Sequence, residues 1–271
     1  MKTMRSALAI LSLVFVVSAA PAAAGESFAG LARPGKLIVG LDDTFAPMGF
    51  RDPANNLVGF DIDLARAVGR ELGLQIEFQP VEWSAKEMEL STKNIDCVWN
   101  GMSRTPEREK GMTLSQDYLN NRLVVMTNPG VTITSMDQLP AHQIGTQAGS
   151  SSLDAVKNSP IYAKIRENLH EYATYDECIL DMQAGRIQAM VVDEVLGNYK
   201  NNNLGSAFSF ASVDFGNDYY VIGFRRDEGD NSANEELCRA VENAIRKIAA
   251  SGEGAEISKK WFGTNLLLDM K

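Results

Sequence analysis

Short apolar segments typical of strands alternate with amphipathic, helix-like segments along this chain, and this alternation constrains the fold more than any other feature. In the first half, a strand-like segment at 37–41 precedes 59–72, where apolar residues recur at helical spacing. A strand-like segment at 75–78, a helical one at 85–92 and an apolar strand at 96–99 follow. Because strands separated by helices usually pair in parallel, the pattern predicts an α/β fold of βαβ units.

The same order of signals returns after the turn sequence Asn128-Pro129-Gly130. The second half therefore predicts another α/β unit, although the two halves share no repeated sequence. Its expected helices are at 135–139, from Ser151 onward and at 175–184, and its expected strands are at 143–145, 170–172 and 188–192.

Two further strand-like segments, 119–127 and 218–225, lie where the chain could pass between the two α/β units. Helical segments at 233–250 and 254–261 follow the second of them. If these helices pack back on the first unit, the chain crosses twice, and two lobes share a cleft that can close on a ligand. The expected division is residues 25–120 plus 216–271 for lobe 1 and residues 121–215 for lobe 2.

The first 24 residues have the composition of a secretory signal peptide. Lys2 and Arg5 precede the apolar run 7–20, and Pro21-Ala22-Ala23-Ala24 supplies a small-residue cleavage site. The run is shorter than the roughly 20 apolar residues of a membrane span. We therefore expect cleavage after Ala24, with an uncleaved N-terminal anchor as the alternative. No later stretch reaches about 18 apolar residues, so we expect the mature chain to be exported without membrane insertion.

The charge and the metal-binding residue types exclude several classes of function. The net charge of −9 becomes −11 without the first 24 residues, which argues against a nucleic-acid partner. Cys97, Cys178 and Cys238 are too widely spaced for a metal cluster or a disulfide framework, and we expect buried side chains, with one disulfide left open. Two histidines, His142 and His170, are too few and too distant for a zinc motif. The sequence indicates no metal site and no cofactor.

Polar residues follow four of the predicted strands, where ligands of parallel sheets bind. Alone, each has a simpler explanation: a serine N-cap before a helix, a solvated arginine after Pro106, an aspartate cap, or core aromatic residues. Together, an arginine and a helix N-terminus suit a carboxylate, and an aspartate suits an ammonium group. The set therefore indicates a site for an α-amino acid, and it comprises Asp42, Phe45, Trp83, Asn100, Gly101, Ser103, Arg108, Gln147, Ser150, Ser151 and Asp193.

The sequence resembles the family 3 extracellular solute-binding proteins, the polar amino-acid receptors of bacterial ABC transporters, over the whole mature chain. The segments that carry the resemblance are 59–65 (GFDIDLA), 42–47 (DDTFAP), 96–103 (DCVWNGMS), 105–108 (TPER), 114–118 (LSQDY) and 185–193 (GRIQAMVVD). Asp117 departs from the family's usual proline and Gln188 from its usual aspartate. Trp99 and Asn100 replace smaller residues, which leaves the identity of the ligand open.

The resemblance implies the type II periplasmic binding protein fold, in which two parallel-core sheets flanked by helices are joined by two hinge strands around a ligand cleft. It also implies a periplasmic location, a free amino-acid ligand and an inner-membrane ABC permease as partner. By resemblance, the ligand carboxylate is bound by Arg108 with Ser103, Ser150 and Ser151. The ligand ammonium is bound by Asp193 and the Gly101 carbonyl. The ligand side chain is enclosed by Phe45 and Trp83, and its identity is selected by Asp42, Asn100 and Gln147. Met102, inside the matched segment, completes the candidate set.

A carboxylate at Asp42 would repel an acidic side chain, and the strand ends offer no lysine or arginine to offset it. We therefore expect a neutral or basic polar amino acid. The leading interpretation is a monomeric binding protein and not an enzyme. An exported enzyme of the same fold, similar to the cyclohexadienyl dehydratases, is the first alternative, but it would need a general acid in the cleft. A sensor domain acting through a separate membrane protein is the second.

Overall fold

The computed structural model describes residues 27–270, so the predicted signal peptide at 1–24 lies outside the described residues. The strands are β1 (Lys36–Leu41), β2 (Thr44–Phe45), β3 (Gly49–Arg51), β4 (Leu57–Val58), β5 (Gln75–Pro80), β6 (Cys97–Ser103), β7 (Met112–Leu114), β8 (Leu119–Thr127), β9 (Ile144–Gln147), β10 (Leu169–Tyr172), β11 (Ala189–Asp193) and β12 (Ser209–Arg225).

Nine α-helices lie within residues 27–270. They are α1 (Phe60–Leu72), α2 (Lys86–Ser91), α3 (Pro106–Gly111), α4 (Ser151–Lys157), α5 (Tyr162–Ile165), α6 (Tyr175–Gln183), α7 (Glu194–Asn203), α8 (Ser232–Ala250) and α9 (Glu253–Phe262). Short 3-10 helices lie at Trp83–Ala85, Met136–Ala141 and Arg166–Asn168.

The main sheet has the strand order β10-β9-β11-β8-β12-β6-β1-β5, and β7 pairs with β12. Two sets of three parallel strands lie at its ends. β5, β1 and β6, with the helices and short segments packed on them, are called the β1 group, and β10, β9 and β11, with theirs, are called the β9 group. The α/β prediction with two parallel cores is therefore confirmed. A separate three-stranded sheet contains β2, β3 and β4.

The two predicted crossing strands, β8 and β12, join the groups. β8 pairs antiparallel with β11 of the β9 group, and β12 pairs antiparallel with β6 of the β1 group. Because β8 and β12 also pair with each other, hydrogen bonding continues from one group to the other. The sequence predicted two sheets joined by two strands, and the structure merges them into one sheet through those strands.

Helices cover the sheet and bury its apolar side chains. The two C-terminal helices, α8 and α9, pack against α1 beside the β1 group, as the predicted return of the chain to its first half requires. A separate apolar cluster, which includes Val125, Ile144 and Val191, lies in the β9 group. Cys97, Cys178 and Cys238 are buried and unpaired, as their predicted role as small apolar residues requires. Among residues 27–270, no helix is long and apolar enough to span a membrane.

The carboxyl ends of four parallel strands position the polar residues that the sequence singled out. Asp42 directly follows β1, and Ser103 ends β6 in the β1 group. Gln147 ends β9, and Asp193 ends β11 in the β9 group. Parallel strands direct their carboxyl ends to one edge of a sheet, where ligands bind. Both groups therefore direct polar side chains into the space between them.

Candidate functional site

A small cavity lies between the two groups. Nine of the twelve predicted site residues line it, and Tyr175 is an addition that the sequence analysis missed. The lining residues are Phe45, Trp83, Gly101, Ser103 and Arg108 from the β1 group side and Gln147, Ser150, Ser151, Tyr175 and Asp193 from the β9 group side. The structure therefore brings most of the predicted set around one enclosed space.

Arg108 supplies the positive charge at one end of the cavity. Thr105 caps α3 by accepting a hydrogen bond from the Arg108 amide at 3.2 Å, and this fixes the start of the helix that carries the arginine. The guanidinium donates to the Ser103 carbonyl at 2.7 Å and to the Gly149 carbonyl at 3.3 Å. Burial lowers the pKa of Arg108, but its guanidinium stays charged. A buried, oriented guanidinium suits an incoming carboxylate.

Ser150 and Ser151 lie opposite the guanidinium at the start of α4. The Ser150 hydroxyl accepts from the Leu153 amide at 3.1 Å, so the N-cap interpretation of this serine is correct, and the residue lines the cavity as well. The hydroxyls of Ser151 and Ser103 lie 2.7 Å apart, one from each group. The hydroxyls thus link the two walls of the cavity beside the guanidinium.

Lys86, which the sequence analysis missed, lies behind the arginine. Its ammonium donates to the Gly149 carbonyl at 2.9 Å and to the Trp83 carbonyl at 3.1 Å, and it pairs with Glu87 at 3.0 Å. Burial, followed by the neighbouring Arg108 charge, lowers the pKa of Lys86 to about 8. A lysine at the start of a predicted helix has no sequence signal for burial, because this position usually faces solvent.

Gly149 lies close to the β1 group at this end. Its φ of +68° is a left-handed conformation that favours glycine, and an added Cβ would stand 2.9 Å from Cα of Ser84. Its carbonyl accepts from both Lys86 and Arg108. The absence of a side chain therefore allows two cations of the β1 group to contact one carbonyl of the β9 group.

Asp193 supplies the negative charge at the other end. It occupies the N-cap position of α7 without making the capping hydrogen bond that would explain it structurally. Its Oδ1 atom instead accepts from Asn121 Nδ2 at 2.7 Å and from the Tyr220 hydroxyl at 2.9 Å. Asn121 also donates to Asp218 at 2.8 Å, so one amide links two buried carboxylates. Burial, followed by the charge of Asp218, raises the pKa of Asp193 to about 7.

Asp218 is a further residue that the sequence analysis placed only at the start of a crossing strand. Its Oδ2 atom accepts from the Ser103 hydroxyl at 2.6 Å. Burial raises its pKa, while the hydrogen bonds from Ser103 and Asn121 oppose that rise. Because Asp218 begins the predicted segment 218–225, a polar residue at the start of a crossing strand was a usable signal for a site residue.

Aromatic rings and the backbone of Gly101 form the remaining wall. The rings of Phe45 and Tyr175 lie 6.0 Å apart and come from the two different groups. The Arg108 guanidinium lies over the Trp83 ring, 6.0 Å from its centroid. Gly101, with a φ of +56°, brings its backbone against Phe45, where an added Cβ would stand 2.7 Å from the ring. This wall can enclose a side chain between apolar ring faces.

Three predicted site residues do not line the cavity. Successive side chains of a strand point to opposite faces, so Asn100 and Met102 of β6 alternate with the lining residues Gly101 and Ser103. The Met102 side chain joins an apolar cluster, and the buried Asn100 amide lies against Gly49. Asp42 lies behind Gln147, which donates to it at 2.6 Å.

Comparison with known proteins gives a consistent result. The profile of the bacterial extracellular solute-binding proteins, family 3, matches residues 37–264. The arginine-binding extracellular protein ArtP of Bacillus subtilis is 26% identical over 230 residues, covering 84% of this chain and 86% of its own. A probable histidine-binding protein of Neisseria gonorrhoeae is 28% identical over 260 residues, covering 94% of each chain.

The same likeness is found among solved structures. A histidine-bound ABC uptake transporter substrate-binding protein from Streptococcus pneumoniae superposes with a TM-score of 0.75 at 30% identity. The match covers 86% of this chain and 94% of the other. These relatives are named as binding proteins and not as enzymes.

Proposed function

The chain belongs to the bacterial extracellular solute-binding proteins of family 3, and on this basis we propose that it binds a polar amino acid between two lobes and delivers it to an ABC permease. The observation that carries the proposal is the placement of Arg108 and Asp193 on the wall of one small cavity. A free amino acid has a carboxylate and an ammonium group at fixed separation. Opposite charges held on different elements can bind both at once.

The buried charges around the cavity favour a neutral or basic ligand. Two cations, Arg108 and Lys86, lie at one end, and the carboxylates of Asp193, Asp218 and Asp42 lie elsewhere around the site. A zwitterion brings no net charge, and a basic amino acid adds a positive charge beside these carboxyl groups. An acidic side chain would add a charge of the same sign in a poorly screened space. The proposed ligand class is therefore neutral or basic.

The remaining assignments follow from the family and the N-terminal sequence. Residues 1–24 serve as a signal peptide, which places the mature chain in the periplasm beside an inner-membrane permease. Lobe 1 comprises residues 25–120 plus 216–271, and lobe 2 comprises residues 121–215. The protein acts as a monomer without a nucleic-acid partner. The enzyme alternative gains no support from the relatives, which are named as binding proteins.

Mass spectrometry of the ligand released on denaturation tests the proposed function. The expected result is one stoichiometric free amino acid, neutral or basic, whose binding to refolded protein is then measured by calorimetry. Glutamate or aspartate as the tightest ligand would refute the proposed ligand class. Turnover of a prephenate-like compound would favour the enzyme alternative instead.

Ligand affinity should fall as the pH is lowered below about 7. Burial and Asp218 raise the pKa of Asp193 to about 7, so the unliganded carboxylate is largely protonated at lower pH. A bound ammonium group favours the ionised form, so binding at pH 6 must release a proton. We expect affinity to weaken by up to about tenfold per pH unit below 7. Calorimetry in buffers of different ionisation enthalpy measures this release directly.

Asp193→Asn provides the control for this pH dependence. The variant should bind more weakly, and its binding should release no proton from this site. Affinity of the unsubstituted protein that stays constant between about pH 5 and 8 would contradict the assignment of Asp193 to the ammonium group.

A further inference from the structure

The side-chain amide of Asn121 gives both of its hydrogens to carboxylates. Its Nδ2 atom donates to Asp193 Oδ1 at 2.7 Å and to Asp218 Oδ2 at 2.8 Å, and its Oδ1 atom accepts from the Val195 amide at 3.5 Å. An ionised carboxylate accepts hydrogen bonds and cannot donate them, and a backbone N–H only donates. These partners therefore exclude the reversed orientation of the Asn121 amide.

The side chains that hold Asp193 come from the two crossing strands. Asn121 of β8 stands opposite Asp218 of β12 in the antiparallel register. Tyr220, also on β12, donates its hydroxyl to Asp193 Oδ1 at 2.9 Å. Within residues 27–270, the side chains that donate to Asp193 all use Oδ1. The second oxygen, Oδ2, is therefore the one that Asp193 has available for a ligand in the cavity.

Asp193 and Asp218 form a pair of buried carboxylates that one NH2 group joins. Two neighbouring carboxylates repel each other where water does not screen them, and such a pair tends to take up one proton. A hydrogen bond donated to a carboxylate favours its ionised form. The Asn121 amide donates to both members of the pair, so it opposes the uptake of this proton.

The other titratable groups that act on Asp193 do not take over this task. Arg108 acts on both carboxylates but lies at the opposite end of the cavity. Tyr220 and Tyr175 face Asp193 from β12 and α6, and burial, followed by the Asp193 charge, raises the pKa of both phenols. Both phenols therefore stay neutral. Among residues 27–270, Asn121 is the residue whose side chain donates to both carboxylates.

We propose that Asn121 is a positioning residue whose amide keeps Asp193 ionised and turned, so that the second oxygen of Asp193 meets the ammonium group of the ligand. The inference rests on the proposed function and deepens it. An ionised carboxylate binds an ammonium group directly, whereas a protonated one must first release its proton. Asn121 does not line the cavity, so it acts through Asp193 and not by touching the ligand.

This role differs from simple filling of space in the pH dependence of ligand binding. A loss of packing lowers ligand affinity by the same factor at every pH. A loss of the two amide hydrogens raises the pH at which the carboxylates ionise, so it lowers affinity most where the pair is protonated. A shift of the pH profile toward higher pH is therefore specific to the proposed role.

Calorimetry of the identified amino acid between about pH 5.5 and 8.5 tests the inference with Asn121→Leu, which roughly keeps the shape of the side chain and removes both hydrogens. In the unsubstituted protein, affinity should fall below about pH 7, the pKa of Asp193. We expect this midpoint to rise by about one unit in Asn121→Leu, so that affinity is about tenfold lower at pH 6 and nearly equal at pH 8.5. Adding Asp218→Asn should move the midpoint back, because Asp193 then faces no second carboxylate.

Asn120→Leu is the matched control, since Asn120 is the adjacent asparagine of β8 and is exposed to solvent. Its affinity should equal that of the unsubstituted protein at every pH. Asn121→Ser offers one hydroxyl hydrogen to the two carboxylates and serves if Asn121→Leu does not fold, as judged by circular dichroism. Its midpoint should shift in the same direction.

Three results would overturn the inference. The folded variant at Asn121 could keep the pH profile of the unsubstituted protein, its affinity could fall by the same factor at every pH, or adding Asp218→Asn could leave the midpoint where it is. The proposed function fails separately, when no standard L-amino acid binds the unsubstituted protein at all.

Discussion

Replacing Arg108 with alanine should abolish amino-acid binding at ordinary ligand concentrations while the fold is retained. The substitution removes the guanidinium that we assign to the ligand carboxylate and leaves that carboxylate buried without its partner. Truncation of one member of a buried, hydrogen-bonded charge pair costs about 2–5 kcal/mol, or about 30-fold to several thousandfold in Kd. Isothermal calorimetry with the identified ligand measures the loss.

Lys110→Ala is the matched control for this substitution. Lys110 lies on the same short helix, α3, but is exposed to solvent. The Lys110→Ala substitution removes the same charge from the chain as Arg108→Ala, so any general electrostatic effect on binding appears in both variants. We expect ligand affinity close to that of the unsubstituted protein. Circular dichroism and the unfolding temperature should show that Arg108→Ala remains folded. Normal ligand binding by the folded Arg108→Ala protein would contradict the assignment of Arg108 to the ligand carboxylate.

Replacing Asp61 with alanine should strongly destabilise the folded protein. The carboxylate is fully buried and accepts from the Gly101 amide at 2.7 Å, the Tyr118 hydroxyl at 3.0 Å and Trp99 Nε1 at 3.2 Å. Its removal leaves three buried donors without an acceptor. We expect the free energy of unfolding to fall by about 3–5 kcal/mol. Urea denaturation followed by tryptophan fluorescence measures this change.

Asp63→Ala tests whether burial is the cause. Asp63 lies in the same first turn of α1, but its side chain is 19% exposed and pairs with Lys260 at 2.6 Å. We expect Asp63→Ala to lower the free energy of unfolding by about 1 kcal/mol or less. Similar decreases in the free energy of unfolding for Asp61→Ala and Asp63→Ala would contradict the view that burial makes the Asp61 carboxylate important for stability.

The pH dependence of stability gives a second measurement on Asp61. Burial raises its pKa to about 7 in the folded protein, from an ordinary value of 3.8. The folded state therefore binds more protons than the unfolded state between these values. The contribution of Asp61 to stability is fully present below about pH 4 and is lost as the pH rises through about 7. Asp61→Asn should reduce this decline in the unfolding free energy of the unliganded protein.

Much of the fold could be predicted because its long elements have clear periodicity. The strand predicted at 119–127 coincides with β8, and the helix predicted at 59–72 differs from α1 by one residue. The small sheet of β2, β3 and β4 was missed because strands of two or three residues contain no measurable alternation. The crossing strand β12 begins at Ser209 and not at the predicted 218, since bulges between Phe210 and Gly216 disturb its pattern.

The site was predictable to the extent that it lies at strand ends. The carboxyl-end rule selected Gln147 and Asp193 without knowledge of any contact. The alternation of side chains along β6 separates Asn100 and Met102 from the lining residues, and this alternation is already present in the sequence. Lys86 and Tyr175 could not be found in this way, because each lies in the first turn of a helix and is turned inward only by tertiary packing.

The bare backbone at Gly149 limits how close the two groups can come, and this limit is independent of the side chains around the ligand. An added Cβ would stand 2.9 Å from Cα of Ser84, so any other residue would act as a spacer between the groups. At this point the main chain of one group lies directly against the main chain of the other. Gln147 and Tyr175 line the cavity and take no part in this contact. The composition of the cavity wall can therefore change while this contact between the two groups stays the same.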